Sequence, residues 1–233
     1  MIDIQNVNKS FKGIPAIQNL TLRVQQGEIL GLLGANGAGK STTINMLLGF
    51  LAPDSETVSV NHLDMTQKAD QARKFIGYIP ENVNLYPYLS AIENLDYFCR
   101  LAGLKYSKKE LADFLITCGL QAEAHPKKVS DYSKGMRQKV GIAIAYAKKA
   151  KVYLLHEPAS GLDPLASNEL SELLKKLAAE GTTLLMASHD IFRVREVCNH
   201  IGILKKGILV KELRSEEVTA NELEQLYLQF MQN

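Results

Sequence analysis

At 233 residues, 46% hydrophobic and 22% charged, the chain is long enough for a real core in one domain or two small ones, and its formal net charge of +2 is too mild to mark a nucleic-acid binder. Three scattered cysteines, Cys99, Cys118 and Cys198, form neither a disulfide framework nor a metal spacing, so a reducing compartment is expected. The start lacks the basic-then-apolar pattern of a signal peptide, and no apolar run approaches the ~20 residues that span a bilayer, so any membrane role is expected to come from a partner chain.

Taken in order, Ile2, Ile4 and Val7 alternate with Asp3, Gln5 and Asn6 and predict a half-exposed strand. Residues 20–24 alternate again. Gln26-Gly27 then turns the chain into the apolar run Glu28-Ile29-Leu30-Gly31-Leu32-Leu33, which reads as a buried strand. After Gly34 to Thr42 comes a helical pattern over 43–48 that ends at Gly49. Residues 57–60 predict a short strand after the turn at Pro53-Asp54-Ser55, so the opening reads as a small antiparallel sheet beside the buried strand. A short helix over 69–74 leads to a strand over 76–79, closed by Pro80.

From about Asn82 to Ala150 strand signals fade, and helices are predicted over 92–101, 108–118 and 134–149, punctuated by Gly103, Gly119 and His125-Pro126. Residues 152–155 are a buried strand, 165–180 a helix closed by Gly181, 182–187 a strand and 191–198 a helix. Residues 201–204 and 208–210 predict a hairpin turning at Lys206-Gly207. The final stretch, 219–232, is amphipathic, with Leu223, Leu226 and Phe230 on one helical face.

The stretch Gly34-Ala35-Asn36-Gly37-Ala38-Gly39-Lys40-Ser41-Thr42 organises the chain. It fits G-x-x-x-x-G-K-[ST] and lies between a strand and a helix, the context that motif requires. Glycines let the backbone close around an anion, since no Cβ blocks close approach or positive φ. The loop amides and the helix N-terminus then face the anion together. Lys40 can reach the outer phosphates, Ser41 can place its hydroxyl on Mg²⁺, and Thr42 is an extra phosphate contact.

Later residues narrow the kind of nucleotide protein. Tyr132-Ser133-Lys134-Gly135-Met136-Arg137-Gln138 resembles the signature loop of ATP-binding-cassette (ABC) ATPases. Leu154-Leu155-His156-Glu157-Pro158 resembles their Walker B strand with its catalytic glutamate, Ser160-Gly161-Leu162-Asp163 their D-loop, and Ser188-His189-Asp190 their switch histidine. Phe11 stands where the family stacks an aromatic on adenine, and Ile79-Pro80-Glu81 falls at the Q-loop. These motifs run in the family's order over nearly the whole chain, which most resembles bacterial ABC-2-type exporter ATPases.

The resemblance implies an α/β fold: a P-loop NTPase core of mixed sheet, an antiparallel β subdomain and an inserted helical subdomain. The expected division is 1–81 core with the antiparallel sheet, 82–150 helical signature subdomain, and 151–233 core continued. It further implies an ATP hydrolase with ATP and Mg²⁺. Glu157 orients the attacking water, His189 senses the γ-phosphate, and Lys40 offsets phosphate charge. The nucleotide contacts are Phe11, Gly34, Asn36, Gly37, Ala38, Gly39, Lys40, Ser41 and Thr42. Ser133 and Gly135 instead close over the nucleotide of a second subunit, in a homodimer or heterodimer holding two ATP molecules, and Asp163 is the expected nucleotide-binding residue at the seam between the two sites. Ser41 and Glu81 are the expected metal contacts.

A transmembrane permease subunit completes the expected assembly, which places the chain in the cytoplasm on the inner face of the membrane, without nucleic acid. Residues 81–95 are the expected coupling surface, with Tyr86 and Tyr88 forming a docking groove for a short permease helix. The alternatives are a soluble ABC ATPase outside transport, and a nucleotide-sensing cassette with weak hydrolysis.

That last alternative comes from a departure. The family has aspartate where this chain has His156, and imidazole is a poor substitute near a hard cation. Mg²⁺ binding and turnover are expected to fall by ~10–100-fold if a metal-supporting group is lost, unless His156 simply hydrogen-bonds Ser41. Glu81 replaces the usual glutamine and can return negative charge; Lys134 replaces the first signature glycine. Glu56 and His62 stand in turns where glycine is common, and nothing functional explains them.

Overall fold

The computed structural model describes residues 1–232. In chain order the strands and helices are β1 (Ile2–Phe11), β2 (Ile14–Val24), β3 (Ile29–Leu33), α1 (Lys40–Leu47), β4 (Ser55–Val60), β5 (Leu63–Asp64), α2 (Ala69–Ala72), β6 (Ile76–Ile79), α3 (Ala91–Leu101), α4 (Lys108–Thr117), α5 (Lys134–Ala147), β7 (Val152–His156), α6 (Pro164–Ala179), β8 (Thr183–Ser188), α7 (Ile191–Val197), β9 (His200–Lys205), β10 (Ile208–Arg214) and α8 (Ala220–Gln232). Strands β2-β1-β4-β5 form an antiparallel sheet. The larger sheet runs β10-β9-β3-β8-β7-β6 and is parallel except for β10.

Alternation explains the layers. In β3, β7 and β8 successive side chains enter opposite cores. Leu33, Tyr153, Leu155, Leu184 and Met186 pack under α3 to α8, whereas Leu30, Leu32, Val152, Leu154, Leu185 and Ala187 face α1 and the antiparallel sheet. A strand buried on both faces reads as a continuous apolar run, which is why β3 was legible. Gly31 is forced by packing: a Cβ there would lie 2.4 Å from Val194 Cγ1 of α7.

The antiparallel sheet is larger than alternation alone predicts. β1 runs on to Phe11 and β2 begins at Ile14, joined by Lys12-Gly13 with φ of 50° and 81°. Positive φ at both turn residues matches the twist of a two-residue hairpin. The pattern breaks because Asn6 and Asn19 take φ of 46° and 47° beside register shifts, so the bulges scramble the period of two.

Register then fixes the site. Leu33 pairs with Ser188, His156 with Ala187 and Ile79 with Leu155. The residues that follow these strand ends, at 34, 189, 157 and 81, therefore leave the large sheet at one edge, the carboxyl end where an open α/β sheet receives ligand.

Candidate functional site

The loop after β3 bends into α1 through Gly39, whose φ is 112°. A Cβ at that position would meet Ile17 Cδ1 at 2.7 Å and the Ala16 carbonyl at 2.9 Å, so only glycine fits. Thr43 supplies the first intrahelical amide bond, to the Gly39 carbonyl at 2.9 Å, and the amides before it start the helix without an intrahelical acceptor. The helix has no side-chain cap and no acid in its first turn, so its positive end faces the cleft unneutralised.

Lys40 is 5% exposed, and its ammonium donates to the carbonyls of Gly34 (2.5 Å) and Ala35 (3.3 Å). It also lies 3.6 Å from Glu157 Oε1. Burial lowers the Lys40 pKa, and the Glu157 carboxylate opposes that without reversing it.

Glu157 leaves the end of β7 with φ of 48°, its amide donating to the Ala187 carbonyl at 2.8 Å. That left-handed turn is uncommon for a non-glycine residue. Here it accompanies a carboxylate aimed across the strand end: His189 Nδ1 donates to Oε1 at 2.9 Å, and the Ser188 hydroxyl donates to Oε2 at 3.0 Å. Burial pushes the Glu157 carboxyl up. The His189 bond, together with Lys40 and Ser188, outweighs this and holds it below its ordinary value, so the carboxylate is ionised.

Lys40 and Glu157 border a cleft of ≈ 220 Å³ lined also by Ala16, Asn36, Gly37, Ser41, Thr42, Glu81 and His156, among others; His189 and Ser188 are outside that lining and meet it through Glu157. The Ser41 hydroxyl lies 3.1 Å from His156 Nε2. Glu81 Oε1 accepts the Ser160 hydroxyl at 2.9 Å and stands 3.9 Å from the Lys134 ammonium. A larger cavity of ≈ 610 Å³ lies near Met1 and Tyr153 at the amino end of the strands, away from the phosphate loop and from the Lys40–Glu157–His189 contacts, so volume does not locate the chemistry.

Gly34 and Ala38 of the loop are buried and do not line the cleft. Phe11 is 44% exposed at the β1–β2 hairpin and does not line the cleft; the Lys9 ammonium sits over its ring. Ser133, Gly135 and Asp163 also lie outside the cleft. Ser133 caps α5 by accepting from the Met136 amide at 3.2 Å, and Asp163 caps α6 by accepting from Ala166 at 2.8 Å. Gly135 packs so closely that a Cβ would stand 3.1 Å from Ala166 Cβ. Ala16 is the wall residue that sequence reasoning missed, and an alanine in a hairpin carries no chemical signal.

The donor set suits a hard cation. Ser41 and Glu81 both bring oxygen to the cleft, as Mg²⁺ prefers. His156 brings nitrogen, but spends it on Ser41. If the Ser41 O–H donates to Nε2, the hydroxyl lone pairs stay turned to the cleft. Among the described residues no group of three or more His, Cys, Asp or Glu is placed to hold a metal ion.

The chain is similar to known ATP-binding cassettes in both sequence and fold. The ABC transporter family profile matches residues 17–160. The Nod factor export ATP-binding protein I of Cupriavidus metallidurans is 35% identical over 225 residues, covering 96% of this chain and 74% of that one. The bacitracin transport ATP-binding protein BcrA of Enterococcus faecalis is 34% identical, covering 94% and 70%. Among solved structures, a dimeric ATP-binding cassette in a post-hydrolysis state with ADP and Pi superposes with a TM-score of 0.82 at 28% identity, covering 92% of this chain and 99% of that one. cbiO1 of Clostridium perfringens, part of the transporter complex cbiONQ, gives 0.84 at 25% identity, covering 97% and 94%.

Proposed function

This chain belongs to the ABC transporter family of ATP-binding subunits and is an ATP hydrolase; from that premise we propose that it drives export through a separate membrane subunit. The observation that carries the reading is the meeting of Lys40, Glu157 and His189 at one strand edge beside the amide-lined loop. Lys40 gives up its carbonyl partners and turns to the outer phosphates. Glu157, ionised and held by His189 and Ser188, accepts a proton from the attacking water and orients it. His189, with Nδ1 committed to Glu157, presents its other ring nitrogen to the γ-phosphate. Ser41 and Glu81 would hold Mg²⁺, which neutralises phosphate charge when bound.

Phe11 stacks on adenine from outside the cleft wall, and Gly34 to Thr42 cradle the phosphates. Ser133, Gly135 and Asp163, away from their own chain's cleft, serve the nucleotide of a second subunit. Exposed Leu165 and Phe192, flanking Asp163 and His189, suit a face that another cassette covers. A relative named for Nod factor export supports the direction, and one named for bacitracin transport supports transport. Among the described residues no helix is long and apolar enough to cross a membrane; in the proposed assembly a separate membrane subunit holds this chain at the inner face of the membrane.

The permease docks on the helical unit, residues 82–150. Tyr86 and Tyr88 are 47% and 81% exposed, and the Tyr86 hydroxyl donates to that of Tyr97 at 3.0 Å, which stiffens the patch. A second reading, a nucleotide sensor with slow turnover, draws on one observation, the imidazole rather than carboxylate beside Ser41.

The test is phosphate release by purified chain. Glu157→Gln should lower turnover by ~10²–10⁴-fold while leaving ATP affinity intact. Equal loss of binding and turnover, or recovery of the native chain without any membrane protein bound, would count against the reading.

A further inference from the structure

Glu81 and Lys134 are two places where this chain departs from its family's usual motifs, and the structure sets them against each other. The Lys134 ammonium lies 3.9 Å from Glu81 Oε1, and that same oxygen accepts the Ser160 hydroxyl at 2.9 Å. Glu81 also lines the nucleotide cleft. One carboxylate oxygen therefore serves two loops of its own chain, from a position beside the phosphates.

The backbone beneath it is fixed independently. Gln138, one turn along α5 from Lys134 and 1% exposed, donates to the carbonyls of Glu81 at 3.1 Å and Pro80 at 3.4 Å. The Glu81 side chain can turn while its loop stays in place. Lys134, for its part, starts α5, where the helix dipole disfavours a cation that lacks an anionic partner. Among the described residues no carboxylate other than Glu81 stands within ion-pair distance of Lys134.

We propose that Glu81 and Lys134 form a charge latch between the nucleotide cleft and the signature helix of the same chain. With the cleft empty, Glu81 holds the ammonium at home. When nucleotide and its cation draw on Glu81, Lys134 is released toward the phosphates that a second chain presents to Ser133 and Gly135. Lys134 thus reaches the second chain's phosphates only once Glu81 lets it go, and its sign is matched to that of Glu81. The latch rests on the two-chain reading above.

The experiment is a double-mutant cycle on dimer formation, read by sedimentation velocity rather than turnover. Wild type, Glu81→Gln, Lys134→Gln and the double variant are titrated with AMP-PNP and Mg²⁺ for the concentration that gives half-maximal dimer. Any direct effect of Glu81 on the cation is common to both backgrounds and cancels in the cycle.

Lys134→Gln alone should raise the half-maximal concentration, and Lys134→Arg should restore it. Relative to its effect in the Lys134→Gln background, Glu81→Gln in the wild-type background should lower that concentration by roughly threefold or more, the scale of a partly exposed ion pair. Additive substitutions in a chain that dimerises overturn the latch alone. A chain that binds AMP-PNP but stays monomeric overturns the two-chain reading and the latch with it.

Discussion

His156→Asp is the substitution whose outcome separates two accounts of the cleft. His156 ends β7, and its Nε2 is 3.1 Å from the Ser41 hydroxyl in the cleft wall. Aspartate at the same Cα is shorter, yet can accept from Ser41 directly or through a water. It adds a full negative charge where imidazole offers at most a lone pair. Two unit charges about 5 Å apart at an effective dielectric of about 20 attract by about 3 kcal/mol. A divalent cation doubles that figure, and desolvation returns a large part of it.

A net gain of about 1.4–2.8 kcal/mol corresponds to ten- to hundredfold in cation affinity. Initial rates of phosphate release, measured against Mg²⁺ at saturating ATP, should therefore reach half-maximum at ten- to hundredfold lower Mg²⁺ in His156→Asp. In a Ser41→Ala background the gain should shrink, because the bridging hydroxyl is gone. Superimposable wild-type and His156→Asp curves would refute the reasoning and leave the imidazole an equivalent of the carboxylate.

Three further outcomes follow from the packing and charge. Gly31→Ala forces a methyl to within 2.4 Å of Val194 Cγ1 and 2.9 Å of Cys198 Sγ, so urea unfolding should report a loss of about 1–3 kcal/mol; an unchanged midpoint would mean α7 yields freely. Because Glu157's carboxyl is held below its ordinary value, its contribution to stability is full above about pH 4.3 and fades as pH falls further. The stability gap between wild type and Glu157→Gln should therefore close below that pH, and a gap constant with pH would contradict the ion-pair account. Tyr86→Ala should leave ATP hydrolysis by the isolated chain unchanged while abolishing its stimulation by, and co-purification with, a membrane partner; retained stimulation would move the docking surface elsewhere.

Much of this was readable from residues alone where local signals are strong. The buried run of β3, the glycines around Lys40 and the Asp163-Pro164 start of α6 each carry a short-range cause: two-face burial, positive φ, and an N-cap followed by proline. What stayed hidden depends on partners far along the chain. Nothing near residue 156 says that β7 lies beside β8, yet that pairing carries Ser188 and His189 to Glu157. The residues of β1 and β2 between 8 and 19 lost their alternation to two asparagine bulges. Gln138 was visible only as a letter in a motif; its tether to Pro80 and Glu81 exists through a contact 57 positions away.

The bare beginning of α1 also affects how robust the protein looks on the bench. With a lysine first, no acid in its own first turn and no capping side chain, the helix forgoes about 1 kcal/mol that an ordinary cap supplies, and the Lys40 charge there is offset only from the end of β7, by Glu157. An anion settling on those amides finishes the helix, so heat resistance becomes a gauge of occupancy. A tight ligand at a hundred times its dissociation constant adds about 2.7 kcal/mol. A melting curve recorded in phosphate or sulfate buffer and one recorded in chloride therefore describe differently completed molecules, and a comparison of variants has meaning only when both are measured in the same salt.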